Sequence, residues 1–255
     1  MALLQRNVTG HDLLAVKSYI DTHGPITEDT LLANYYPGDP ENPGTSEQLK
    51  PIRDSVQFLL EVDQIEDEDD GYTLSPKVPD RLRPRLSCLW GICRQEGEDA
   101  AYFDVLQQLA SENITRFDHG DELVDLMDGA RPDLPWNPDR LRYWRRVMNT
   151  LGVTQEINPD GENVTTLLSP DADLVYDIAA YCLEGRTGSL TEILQVIDDT
   201  FLPVFSGQDT VSSYIQMSLV FLERQGRIDL ARPSDRDVSI EIAGTPYNAI
   251  ELIQQ

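Results

Sequence analysis

Lysine is close to absent from this 255-residue chain: Lys17, Lys50 and Lys77 stand against 17 Arg. Histidine is as scarce, at His11, His23 and His119, and none of the three falls in a zinc-binding helix motif, a nucleophile elbow or a Cys/His pair. Cys88, Cys93 and Cys182 are an odd number of cysteines without a disulfide framework, as expected of a reducing compartment. Cys88 and Cys93 sit in one apolar run and lack the second pair that a tetrahedral zinc site needs, so they read as small core residues. No stretch approaches 18 uninterrupted apolar residues, and the first ten residues show neither an apolar h-region nor a small-residue cleavage site. The expectation is a cytoplasmic protein with no membrane partner. No glycine-rich phosphate loop is present either, so no nucleotide or other cofactor is expected.

What is abundant is carboxylate. Asp and Glu number 45 against 20 Lys and Arg, a net charge of −25 and a sequence pI of about 4.2. Disorder is not implied, because 40% of the residues are hydrophobic and recur with helical and strand periodicity along nearly the whole chain. The acidity and the Arg-over-Lys usage together resemble the bias of extreme halophiles. In about 1 M salt the Debye length is roughly 3 Å, so surface carboxylates barely repel one another and keep the surface hydrated at little cost. The acidity is then background against which a local reversal of charge is informative.

One pattern recurs three times. In the first copy Leu13, Val16 and Ile20 mark a helix that stops at Gly24-Pro25, and Thr27 is placed to cap a second helix with Glu28 and Asp29 in its first turn. A longer helix over 47–62 carries Leu49, Ile52, Val56, Leu59 and Leu60 as one stripe, and Asp69-Asp70-Gly71 turns a hairpin. The second copy places a short helix at 121–127, a longer one from Pro138 to Leu151 with Asn137 as cap, and strands flanking the turn Asn158 to Gly161. The third has Ser189 capping a helix over 190–201, a long helix over 208–225, and strands over 227–230 and 237–242 flanking Pro233-Ser234-Asp235. The stretch 247–253 is open to a further strand or a docking helix. Helices are also expected over 81–94, 100–112 and 171–184.

Long helix followed by hairpin, over Glu47–Ser75, Pro138–Ser169 and Gln208–Ala243, resembles the tandem winged helix-turn-helix proteins. The fold class expected is mainly α with small β-hairpins: winged helices over 1–78, 119–170 and 171–255, with a helical spacer over 79–118. Members of that superfamily divide into DNA-binding regulators and protein-binding scaffolds, including acidic partners of chromosome-organising ATPases. The resemblance therefore implies either double-stranded DNA or a protein partner, and fold alone does not choose.

The outward face of each long helix bears on that choice, because in DNA-binding members it enters the major groove. In the second copy Leu141, Trp144, Val147, Met148 and Leu151 form the inward stripe, leaving Arg142, Arg145, Arg146 and Asn149 outward; with Arg140 they make the expected reading head. The competing reading is that these Arg simply pair with neighbouring carboxylates. The first copy turns out Lys50, Arg53 and Gln57. The third turns out Ser213, Gln216, Val220 and Glu223, without positive charge, which suits a protein contact or self-association. Arg81, Arg83 and Arg85 alternate in a Pro-bounded segment expected to lie as a strap along phosphates, or else to serve as a linker. The acidic hairpin tips at 66–70 and 160–162 oppose phosphate, whereas Arg232 and Arg236 in the third favour it.

Chemistry has little foothold. Asp118-His119-Gly120-Asp121-Glu122 is the one grouping with metal-ligand character and reads better as a polar loop capping a helix. The expectation is a non-enzymatic DNA-binding protein, regulatory in a high-salt cytoplasm. The alternative is an adaptor or accessory subunit of a DNA-processing, chromosome-organising or defence complex.

Overall fold

A computed structural model describes residues 3, 6, 8, 10–35, 46–118, 121–157, 164–183, 185–206, 210–232 and 239–253. The elements run α1 (Gly10–His23), α2 (Glu28–Tyr35), α3 (Ser46–Glu61), β1 (Ile65–Glu68), β2 (Gly71–Leu74), α4 (Pro84–Cys93) and α5 (Ala101–Ser111). There follow β3 (Arg116–Asp118), α6 (Asp121–Ala130), α7 (Pro138–Leu151), β4 (Thr154–Ile157), β5 (Thr165–Leu168), α8 (Ala172–Cys182), β6 (Thr187–Ser189) and α9 (Leu190–Thr200). The last are α10 (Ser213–Arg224), β7 (Ile228–Ala231), β8 (Ile240–Ile242), β9 (Thr245–Tyr247) and β10 (Ala249–Leu252). The protein is mainly helical with small antiparallel sheets. Two compact units account for it: residues 1–102 with 139–151, and residues 103–138 with 152–255.

The order helix, strand, helix, helix, strand, strand occurs three times. It is α1, Ile26, α2, α3, β1, β2; then α5, β3, α6, α7, β4, β5; then α8, β6, α9, α10, β7, β10. In each case the early strand lies antiparallel beside the last one. Ile26 exchanges both backbone hydrogen bonds with Tyr72 of β2, at 3.1 and 2.8 Å, and the other sheets have the orders β3-β5-β4 and β6-β10-β7. The early strand was not legible from residue types, because it is one to three residues long and buries at most one side chain, as Phe117 does in β3. It also gives α5, within the segment expected to be spacer, the place in the second repeat that α1 and α8 occupy in theirs.

Local chemistry explains most boundaries. Thr27 Oγ1 accepts the Thr30 N–H at 3.4 Å, and Ser189 Oγ accepts the Glu192 N–H at 3.4 Å, so both expected caps are in place. Asp69 and Asp70 form the two-residue turn between β1 and β2, and Gly71 at φ +118° leaves it. Two expectations for the third repeat are corrected. The strand partner of β7 is β10, with Ile250 opposite Leu230, rather than residues 237–242. Ile228, Leu230, Ile250 and Leu252 are the alternating buried positions that make this pairing the one burying apolar surface, while β8 and β9 pair with each other as an inserted hairpin. The long helix begins at Ser213 and not at Gln208, because Val211 is drawn into a bridge with Phe205.

In the first unit the core is made by Leu13, Val16 and Ile20 of α1 against α3, with Phe58 meeting Tyr102 edge-on at 5.7 Å. Lys17 lies in the same interior, 5% exposed, and its Nζ donates to Gln64 Oε1 at 3.1 Å while Gln64 Nε2 donates to Val62 O at 3.2 Å. Burial holds the Lys17 ammonium below its ordinary value of 10.5 and pushes the neighbouring Cys88 thiol up to about 11. Gly10 opens α1 where Thr150 of α7 approaches so closely that a Cβ would lie 1.5 Å from Thr150 Oγ1.

Because the lysine pKa is lowered on folding, the cost of burying its charge is full below the folded pKa and disappears as pH rises towards 10.5. The stability of Lys17→Met relative to wild type, measured by denaturant unfolding across pH 7 to 10, is therefore expected to decline as pH rises. Gly10→Ala is expected to cost about 1–3 kcal/mol by the same measurement, since the added methyl has nowhere to go without moving α1 from α7.

Candidate functional site

Apart from Arg232 and Arg236 of the third repeat, every basic candidate belongs to the first unit. That unit holds 13 of the 20 Lys and Arg against 20 acids, a net of −7; the second holds seven against 25, a net of −18. On α7 the apolar stripe is as expected, with Leu141, Trp144, Val147, Met148 and Leu151 all buried and Trp144 Nε1 donating to the Tyr102 carbonyl at 2.9 Å. The opposite face is narrower than expected. Arg142 and Asn149 are exposed and Arg140 and Arg146 half-buried, but Arg145 is only 9% exposed. It stands four residues after Leu141 and three before Met148, about 40° round the helix from Leu141, and so borders the buried stripe. Arg142 pairs with Asp139 at 2.8 Å and lies over the Tyr143 ring at 5.4 Å.

The remaining basic candidates are on the surface. Lys50, Arg53 and Gln57 line the exposed face of α3, with Arg53 Nε held 2.9 Å from Glu28 Oε1. Arg81, Arg83 and Arg85 are exposed. Their segment is not the extended strap expected: the Leu82 N–H returns to Pro79 O at 3.0 Å in a turn, and Pro84 then opens α4. The acidic hairpin tip at 66–70 is exposed apart from the half-buried Glu66, and so is Arg232; Arg236, His119 and the turn 158–163 lie outside the described residues.

The second unit presents a different surface. On α10, Tyr214, Ile215, Ser218, Leu219 and Leu222 are buried, and two large apolar residues stand exposed beside Arg224: Met217, at 66%, and Phe221, at 52%. The positions expected to face outward, Ser213, Gln216, Val220 and Glu223, are all half-buried flanks of that row. The outward row is displaced because Gln216 is engaged by the inserted hairpin: its Oε1 accepts the Ala243 N–H at 2.7 Å and its Nε2 donates to Val211 O at 2.6 Å. Ala243 and Gly244 turn that hairpin with φ of +49° and +79°. Ser218 Oγ donates to Pro170 O at 3.1 Å, fixing the start of α8 beside the helix.

Between these elements runs an open groove of about 660 Å³. It is lined by Met217, Val220, Phe221 and Arg224 of α10, by Gln155 and Ser169, by the Pro170–Ala172 segment and by Ala243. The spacing of Met217, Val220 and Phe221 was visible in the sequence, but which side of α10 is covered depends on the hairpin that Gln216 holds.

Among the described residues no group of three or more His, Cys, Asp or Glu is placed to hold a metal ion, and no helix is long and apolar enough to cross a membrane. Cys88 is buried, and His11 and His23 are exposed, the latter stacked on Tyr19 with ring centroids 4.2 Å apart. No protein-family model matches the chain, and no curated protein matches it.

The two neighbouring arginines of α7 should separate on substitution. Arg142→Ala is expected to change stability by no more than about 0.5 kcal/mol, whereas Arg145→Ala is expected to cost about 1–3 kcal/mol. Thermal unfolding of both variants in the same high-salt buffer checks this.

Proposed function

We propose that the chain is a non-enzymatic tandem winged-helix adaptor, working in a high-salt cytoplasm, which docks a protein through the long helix of its third repeat. The observation that carries this reading is the outward row of α10, where Met217 and Phe221 stand exposed at the position from which DNA-reading helices present Arg, Lys, Asn or Gln. The unit around it has a net charge of −18, which opposes phosphate. The repeated helix-strand-helix-helix-strand-strand order, with its early strand beside the last, supports the winged-helix part of this reading.

A second reading, double-stranded DNA bound by the first unit, is favoured by the gathering there of Lys50, Arg53, Arg81, Arg83, Arg85, Arg140, Arg142, Arg146 and Asn149. On this reading Arg145 supports α7 from within. Binding in molar salt then leans on base contacts and several modules, because neutralising about six phosphates loses roughly 10⁵ in affinity for a tenfold rise in salt.

Two measurements divide the readings. Affinity capture from a haloarchaeal lysate is expected to recover a stoichiometric protein with the wild type and not with Met217→Asp/Phe221→Asp; recovery of DNA alone sinks the adaptor reading. Polarisation titration with duplex DNA in high KCl tests the second: Arg142→Ala/Arg146→Ala/Asn149→Ala must lower affinity at least about tenfold if α7 reads DNA, and equal behaviour of variant and wild type rules that helix out.

A further inference from the structure

A residue of positive φ ends the long helix of each repeat, two positions before the next strand: Asp63 at +54°, Gly152 at +79° and Gly226 at +67°. These turns put α3, α7 and α10 in one register, in which Phe58, Val147 and Phe221 are equivalent, as are Glu61, Thr150 and Arg224. One row of that register has two different fates. Asp54, Phe58 and Val62 are buried in the first repeat and Val147 and Leu151 in the second, whereas Met217, Phe221 and Gln225 are exposed in the third.

The first two repeats exchange cover at this row. Tyr102, in the first turn of α5, meets the Phe58 ring of α3 edge-on, and Gly10, which opens α1, lies against Thr150 of α7, next to Leu151. The start of each repeat's first helix thus rests on the long helix of the other, and residues 139–151 share one compact unit with 1–102. An exchange in which each member gives and receives the same contact has the logic of an isologous interface.

The third repeat holds both parts of that contact in one place. The opening of its first helix, Pro170 to Ala172, and Met217, Val220, Phe221 and Arg224 of its long helix line the same groove. They are held as in the second repeat: Ser218 Oγ donates to Pro170 O, and at the equivalent position Trp144 Nε1 donates to Tyr102 O. A surface with a giving half and a receiving half side by side is complementary to its own copy turned about a two-fold axis. The groove's charged lining is one acid, Asp171, and one cation, Arg224, so its charges are self-complementary as well.

We propose that the α10 groove is occupied by the same groove of a second copy of this chain. The opening of α8 in each copy rests on Met217 and Phe221 of the other, as Tyr102 rests on Phe58, with Asp171 set opposite the second copy's Arg224. This rests on the adaptor reading's docking helix and names what docks there. The net charge of −18 on each unit does not oppose it, because in molar salt like charges act only within roughly 3 Å and the contact is apolar.

Sedimentation equilibrium of the full chain in 1 M and 3 M KCl tests this, with the variants Phe221→Asp, Met217→Asp and Val196→Asp, the last on an exposed apolar residue of α9 outside the groove. Melting temperatures confirm that each variant folds. Wild type and Val196→Asp are expected to be dimers of equal affinity at both salt concentrations, and the two α10 variants to dissociate at least tenfold more readily. For the arrangement, chains carrying Asp171→Cys and Phe221→Cys are mixed, allowed to exchange and oxidised, with each variant alone and the wild type as background. The mixture is expected to give at least threefold more cross-linked dimer than either variant alone.

A monomeric wild type overturns the second copy, and the adaptor reading then stands or falls on its own capture experiment. A dimer that survives both α10 substitutions overturns it as well and leaves α10 to another protein. A dimer lost in those variants, but without excess cross-linking in the mixture, overturns the reciprocal arrangement.

Discussion

In each repeat the last strand is hydrogen-bonded along both edges, and the rest of the repeat depends on that double pairing. A two-stranded hairpin alone is marginal in water, and three or more strands or a packed helix are needed to hold it. The early strand supplies the third partner: Ile26 beside β2, β3 beside β5, β6 beside β10. In the first repeat, where Ile26 follows the first helix directly, α1 packs against both β2 and α3. The third repeat shows how much latitude this leaves. An extra hairpin, β8 with β9, is inserted between the paired strands without disturbing either edge of β10, and it is this insertion that reaches α10 through Gln216.

Charge is distributed by unit rather than evenly. The overall −25 follows from composition alone, but a net of −7 against −18 is set by which segments the fold gathers into each unit. In molar salt long-range steering is gone, and only contacts at a few ångströms discriminate. In such a solvent a surface gains more from apolar burial than from a row of charges. Arg145 shows the same physics from inside: a guanidinium buried on α7 acts through packing and its local contacts, not through the field it would project.

Much of the architecture was legible because its signals are local. Thr27 and Ser189 as caps, Asp69-Asp70-Gly71 as a hairpin turn, Pro138 at the start of α7 and the stripe Leu141, Trp144, Val147, Met148, Leu151 all act within one or two turns of chain. The errors lie where a partner distant in sequence decides. β7 pairs with β10 rather than with residues 237–242, α10 starts five residues late because Val211 bridges Phe205, and the early strands are too short to carry a pattern of their own. For the candidate site, Arg142 and Asn149 were placed correctly by helical spacing, while Arg145 was not, since periodicity gives a direction around the helix but not the width of what covers it.

The sequence by itself determined the helical character and the three-fold recurrence of long helix and hairpin, because nearest-turn spacing is a sufficient cause of both. Tertiary structure alone decided that Gly10 must be glycine, since only the approach of Thr150 to 1.5 Å of a would-be Cβ forbids a side chain there. It likewise decided that Met217 and Phe221 are exposed while Gln216 is half-buried. That outcome turns on a hydrogen bond from Ala243, 27 residues downstream, and no local rule reaches so far.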